Sequence, residues 1–279
     1  TGPNMSEFTW REIRVQDLPS ALSLQASLMG DELTGRKVAT RCWEELAGHP
    51  AFRGIVVEAT PPIGGHRIVS TGMGVMVTSS FMTAELENPR PGLNSRIIAS
   101  LAQGQPVLLP ADQIGRYNAG EGMDIVNLYG SWLASGLDPA QVSEINTLLA
   151  MSFLETFSGF RLRRVVREVR CEAEYTTMHQ SGVFRFYPTS PDGTISLAVL
   201  TKEDAMSMPH AFAGAMFRYR KPELRLGSAD QQLLLAAMKG RTDEELCAEL
   251  GLGLPTIKKR WLAIFARVTQ VLPELKQME

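Results

Sequence analysis

The chain has 279 residues, of which 44% are hydrophobic and 21% charged, and its formal net charge is −2. This composition excludes a disordered or collagen-like chain, and the length accommodates one large core plus a small module. No apolar run approaches the roughly 20 residues that a bilayer-spanning helix needs, so no membrane partner is expected.

Taken in chain order, alternation and β-branched content predict strands over Thr9–Val15, Gly54–Ala59, Arg67–Val77, Asp124–Tyr129, Leu162–Val169 and Ile195–Leu200. Helical spacing predicts helices over Leu18–Met29, Lys37–Ala47, Ser95–Ala102, Pro139–Phe157 and Glu172–Gln180. Pro61-Pro62 and Gly64-Gly65 mark a hairpin turn, and Asn88-Pro89-Arg90-Pro91-Gly92 a rigid turn of unassigned purpose. Residues after Met5 lack the basic-then-apolar run of a secretory signal, which predicts a cytoplasmic protein. Cys42, Cys171 and Cys247 are far apart and odd in number, so buried thiols are expected and no disulfide or metal site. His49, His66, His179 and His210 lack a partnered carboxylate or metal spacing, and no catalytic residue is assigned. Arg161, Arg163, Arg164, Arg167 and Arg170 read as a solvated strand face in preference to an anion site. Tyr129, Trp132, Phe153 and Phe157 could line a pocket but fit a core better.

The order strand, helix, helix, long hairpin, strand, long helix, strand, helix, strand argues for a mixed α+β domain. It resembles the GNAT acyltransferase fold, through Ile13-Arg14-Val15-Gln16-Asp17-Leu18-Pro19, the hairpin ending in Gly72-Met73-Gly74-Val75, and Tyr175 followed by Ser181-Gly182-Val183-Phe184. The resemblance implies an acyl-CoA-dependent N-acyltransferase. Residues 130–139, however, do not form that family's glycine-rich pyrophosphate loop, and residues 81–121 interrupt the hairpin-to-strand connection. On that ground the domain (5–205) is expected not to be an enzyme and to bind no cofactor, serving instead to sense a small molecule or to dimerise.

Beyond an expected linker (206–223), the tail is basic. From Arg218 onward it carries eleven basic and eight acidic side chains, +3, leaving −5 for the rest. Ala229–Lys239 predicts one helix after Ser228 as N-cap. Thr242 with Glu245 predicts a capping box for a second helix that stops at Gly251. Pro255 opens a third, with Ile257, Trp261, Ile264, Phe265 and Val268 as its apolar stripe and Thr256, Lys258, Lys259, Leu262 and Ala263 on its other face.

Leu226, Leu233-Leu234, Gly240, Thr242, Glu245-Leu246-Cys247, Leu250-Gly251, Thr256-Ile257-Lys258 and Ile264-Phe265 together resemble the LuxR-type helix-turn-helix, which implies a small all-α DNA-binding domain over 224–279. Carried onto this sequence, Thr256, Lys258 and Lys259 would meet double-stranded DNA, with Arg241 and Thr242 near phosphates. The expectation is a homodimeric, sequence-specific transcriptional regulator, with an N-acyltransferase as the alternative.

Overall fold

The computed structural model describes residues 7–29, 36–133, 136–208, 212–221, 223–238 and 240–273; the side chains at 25–29, 36–40, 129, 131 and 132 lie outside that description. The chain divides into two units, Thr1–Arg220 and Lys221–Glu279. In the first, β1 (Phe8–Glu12) and a 3-10 turn (Val15–Asp17) lead into α1 (Leu18–Met29) and α2 (Arg36–Ala47). The hairpin of β2 (Phe52–Ile63) and β3 (His66–Val77) follows, then α3 (Ser79–Glu87), α4 (Leu93–Ala102) and α5 (Ala111–Ala119). Next come β4 (Met123–Trp132), α6 (Pro139–Phe157), β5 (Leu162–Val169) and α7 (Glu172–Gln180). The unit closes with β6 (Arg185–Pro188), β7 (Ser196–Thr201), α8 (Lys202–Met206) and α9 (Phe212–Met216).

The seven strands form one sheet in the order β1-β2-β3-β4-β5-β7-β6. Every neighbouring pair is antiparallel except β4 and β5. A parallel pair needs a crossover, and α6, nineteen residues long, supplies it. Ile55, Val56 and Val57 are consecutive and all buried, so both faces of the sheet are covered at its centre. Gly64 and Gly65, at φ 56° and 81°, close the β2–β3 hairpin in a conformation that glycine adopts without strain. This strand order, with its one parallel pair, is a GNAT-like α/β fold.

Several expectations change on contact with the structure. Residues 81–121 hold three helices, not one, and β6 is an additional edge strand too short to show alternation. The segment expected as a linker carries α9, and its Ala213 and Phe217 are buried in the main core. The division falls after Arg220, whose amide is held by the Ser158 carbonyl at 3.0 Å. Cys42 is buried, but Cys171 is exposed and Cys247 half-buried.

The strand arginines do not form a solvated face. Arg163 and Arg164 both donate to the carboxylate of Asp124, which is fully buried, with Nε distances of 2.9 Å each. Two guanidiniums on one carboxylate satisfy a charge that alone could not be buried. Arg170 meets Glu168, and Arg161 lies over the Tyr219 ring.

The second unit comprises α10 (Ser228–Ala237), α11 (Asp243–Leu250) and α12 (Leu254–Val271) around Leu233, Ala236, Leu246, Ile257 and Ile264. Gly227, not Ser228, is the N-cap of α10. Thr242 Oγ1 accepts the Glu245 amide at 3.3 Å while Glu245 Oε2 accepts that of Thr242 at 2.9 Å, the reciprocal pattern its sequence predicts. Gly251 ends α11 at φ 64°. Phe265, expected in the apolar stripe, is 58% exposed, because the turn of α12 carries it past the seam that Ile257 and Ile264 fill.

Candidate functional site

The parallel pairing of β4 with β5 runs only from Met123 and Leu162 to Asn127 and Arg167. Past that point β4 continues along β3 to Trp132, and β5 along β7 to Val169. The two strands therefore part in mid-sheet. Gly74 pairs with Asn127 and Met73 with Tyr129, which leaves Leu128 as an extra residue in β4. Such a bulge bends its strand and takes backbone groups out of the regular ladder.

Between the sheet and α6 lies a cavity of about 610 Å³, within the usual range for small-molecule sites. Glycines make the room. Gly72 faces Gly130 across the β3–β4 ladder, and a Cβ at Gly72 would point at Leu149 of α6, 3.5 Å away. Met73, Leu149, Phe153, Phe157, Val165 and Met216 give an apolar wall. Phe153 and Phe157 are thus both core and pocket residues, whereas the side chains of Tyr129 and Trp132 lie outside the described residues.

Charge enters this wall at Arg167, whose Nε meets Glu174 Oε1 at 2.5 Å across the β5–α7 turn. Both partners are half-buried, so their attraction is screened less than that of a surface pair. Arg53 also lines the cavity, but its Nη1 donates to the carbonyls of Pro50 (2.8 Å) and Phe52 (2.6 Å), and its guanidinium lies over Phe160. Burial pushes its pKa down from the ordinary arginine value.

On strand β5, alternation sends Arg167 and Glu168 to opposite faces. Glu168 accepts the amides of Gly92 and Leu93, both at 2.7 Å, at the first turn of α4. Asn94 of the same turn donates to the carbonyl of Leu128. The Asn88–Gly92 turn thus has a purpose: with Gly92 at φ 87°, it docks α4 on the diverging ends of β4 and β5. Nothing in the local sequence pattern links Gly92 to a residue 76 positions later.

The amino terminus of α6, where a pyrophosphate would sit in a GNAT fold, is already occupied. Asp138 Oδ1 accepts the Gln141 amide at 2.9 Å, and Gln141 Oε1 accepts that of Asp138 at 3.0 Å. A carboxylate there satisfies the positive end of the helix and repels a second anion. The described residues of this turn do not fit a coenzyme A diphosphate.

The histidines contribute no metal or catalytic cluster among the described residues. His49 Nδ1 accepts the Ala51 amide at 3.1 Å, and its burial lowers its pKa. His66 is exposed, His179 stacks on Tyr175, and His210 lies outside the described residues. In the second unit, Thr256, Lys258 and Lys259 are exposed on α12. Arg241 is engaged by Glu249 at 3.4 Å and Glu245 at 3.9 Å, and the Thr242 hydroxyl caps α11.

No protein-family model and no curated protein matches the sequence. Solved structures do. A dodecameric spermidine N-acetyltransferase from Vibrio cholerae aligns with 74% of this chain and 99% of its own, at 9% identity and a TM-score of 0.43. An N-acyl amino acid synthase from uncultured soil microbes covers 71% and 93%, at 10% identity and a TM-score of 0.38. The loading GNAT-like domain of CurA from Lyngbya majuscula covers 70% and 96%, at 10% identity and a TM-score of 0.40.

These likenesses concern fold, and they overturn the principal functional expectation. The three similar structures are two acyltransferases and a GNAT-like domain, and none of them is a DNA-binding protein by name. The reading as a LuxR-type transcriptional regulator that is not an enzyme is therefore corrected, and double-stranded DNA as a partner finds no support in these structures. Among the described residues no helix is long and apolar enough to cross a membrane.

Proposed function

We propose that this protein is an N-acyltransferase, moving an acyl group from a thioester to an amine. The observation that carries the reading is the parting of β4 and β5 beyond Asn127 and Arg167, directly over an apolar cavity with an ion pair in its wall. In this assignment the amine nitrogen attacks the thioester carbonyl carbon, a C–N bond forms, the C–S bond breaks, and the thiolate leaves. The proton lost by the amine passes to Glu174 and then to the departing thiolate, giving an amide and a free thiol. Arg167, paired with Glu174 at 2.5 Å, fixes the position of that carboxylate in the cavity wall. The bulge at Leu128 interrupts the β3–β4 ladder, and in this assignment a backbone amide of the bulge donates to the carbonyl oxygen where negative charge develops.

The test is direct. The purified full chain is incubated with acyl thioesters of two to sixteen carbons and a panel of amines and amino acids, and free thiol and amide are followed by colorimetry and mass spectrometry. The reading predicts stoichiometric thiol and amide; thiol release no faster than the uncatalysed background across the panel would refute it.

A further inference from the structure

We propose, resting on the acyltransferase reading, that the donor is recognised by a long aliphatic acyl chain seated in the cavity and not by a nucleotide diphosphate. Two observations point the same way. The first is that the amino terminus of α4, docked on the diverging ends of β4 and β5, already holds a carboxylate. Glu168 accepts both Gly92 and Leu93 there, and the α6 amino terminus, whose Gln141 lies beside Glu7, is capped by Asp138. The partial positive charge that would attract a phosphate is therefore neutralised at both ends. The cations nearby are committed too: Arg167 is paired with Glu174, and Arg53 is tied to two carbonyls.

The second observation is the cavity itself. Its volume, about 610 Å³, far exceeds what an acetyl group occupies, and Met73, Leu149, Phe153, Phe157 and Met216 surround it. Gly72 and Gly130 remove side chains from the sheet face beneath α6, so the room is built into the strands. An apolar hollow of this size gives its binding energy to methylene groups, about fourfold in affinity for each one taken out of water. A donor held in this way needs only a short thiol carrier, such as pantetheine, to bring the carbonyl to the gap between β4 and β5. The transfer chemistry is unchanged: the amine nitrogen takes the acyl carbon and the carrier leaves as its thiol.

The experiment is calorimetric titration of the full chain with dodecanoyl-pantetheine, dodecanoyl-CoA and acetyl-CoA. The two dodecanoyl thioesters should bind within about threefold of one another, and acetyl-CoA at least a hundredfold more weakly. Ala150→Phe, which fills the cavity from α6, should weaken both dodecanoyl ligands by tenfold or more, while Asp138→Asn should leave dodecanoyl-pantetheine within twofold of the parent protein. Dodecanoyl-CoA binding more than tenfold tighter than the pantetheine thioester, or acetyl-CoA matching the dodecanoyl ligands, would overturn the proposal. Chain-dependent binding with no turnover on any amine would sink the acyltransferase reading and leave the chain site standing. Turnover with acetyl-CoA as the best donor would do the reverse.

Discussion

Glu168 of β5 accepts the backbone amide of Leu93 at 2.7 Å, joining the strand that borders the gap to a helix that enters 75 residues earlier. The same oxygen takes Gly92, while the other meets Arg170, so the buried carboxylate is satisfied on every side described. Asn94, one residue further, reaches Leu128 on the opposing strand. The inserted helices are therefore part of the site's scaffold, bracing β4 against β5 where their own pairing has ended.

That brace makes Glu168→Gln a stability prediction. The amide keeps an acceptor for Gly92 and Leu93 but removes the charge that Arg170 and the α4 terminus face, and charge-assisted hydrogen bonds contribute roughly 1.5–3 kcal/mol. A urea midpoint shifted to lower denaturant by that amount is expected, with larger losses for Glu168→Ala. An unchanged midpoint would show that the α4 contact contributes nothing.

Asp17 gives a pH dependence with a defined sign. Hydrogen bonds from Arg11, at 2.6 and 2.9 Å, and from the Arg14 amide hold its carboxyl below the ordinary aspartate value in the folded chain. A depressed folded pKa means stabilisation that is fully present above the unfolded value of about 4 and is lost as pH falls through the folded one. Stability measured by urea between about pH 6 and pH 2.5 should fall below about pH 4, and more shallowly in Asp17→Asn. Equal slopes in the two proteins would rule Asp17 out as the group responsible.

Two glycines of the sheet should respond oppositely to alanine. A Cβ at Gly54 would lie 2.5 Å from Ile13 Cγ2 and 2.8 Å from Phe52 Cζ, closer than packed atoms tolerate. Overpacking of this kind costs about 1–3 kcal/mol. At Gly72 the nearest atom, Leu149 Cδ2, is 3.5 Å away, an ordinary contact. Thermal melts should therefore show Gly54→Ala destabilised and Gly72→Ala close to the parent protein. A Gly72 variant as destabilised as the Gly54 one would contradict the open floor assigned to the cavity.

How much of this was legible beforehand depended on the range of the interactions. Hydrophobic alternation located six of the seven strands, and the 3.6-residue period placed α1, α6 and α7, because burial on one face is a local constraint. The Thr242 and Glu245 capping box was equally local, three residues apart. The site was not. The cavity depends on Gly72 opposing Gly130, the brace on Glu168 meeting Gly92, and the charged wall on Arg167 reaching Glu174 in the next element. No periodicity encodes such register-dependent meetings. Reading β5's arginines as solvated failed for the same reason, since Asp124, which binds two of them, lies about forty positions away on β4. A three-helix unit with a basic α12 was legible in outline, but its basic face did not fix a function, because exposed lysines on a helix carry no partner's identity.

Glu174 and Arg167 separate chemistry from binding. If Glu174 takes the proton released by the amine, Glu174→Gln should lower kcat about 10²- to 10⁴-fold while leaving dodecanoyl-pantetheine affinity nearly intact, since the acyl chain is held by apolar residues elsewhere in the wall. Arg167→Met should also slow turnover, by a smaller factor, because it removes the partner that orients the carboxylate at 2.5 Å but not the carboxylate itself. A Glu174→Gln protein with unaltered kcat would assign the proton to another acceptor, and equal losses in kcat and affinity would make the pair structural.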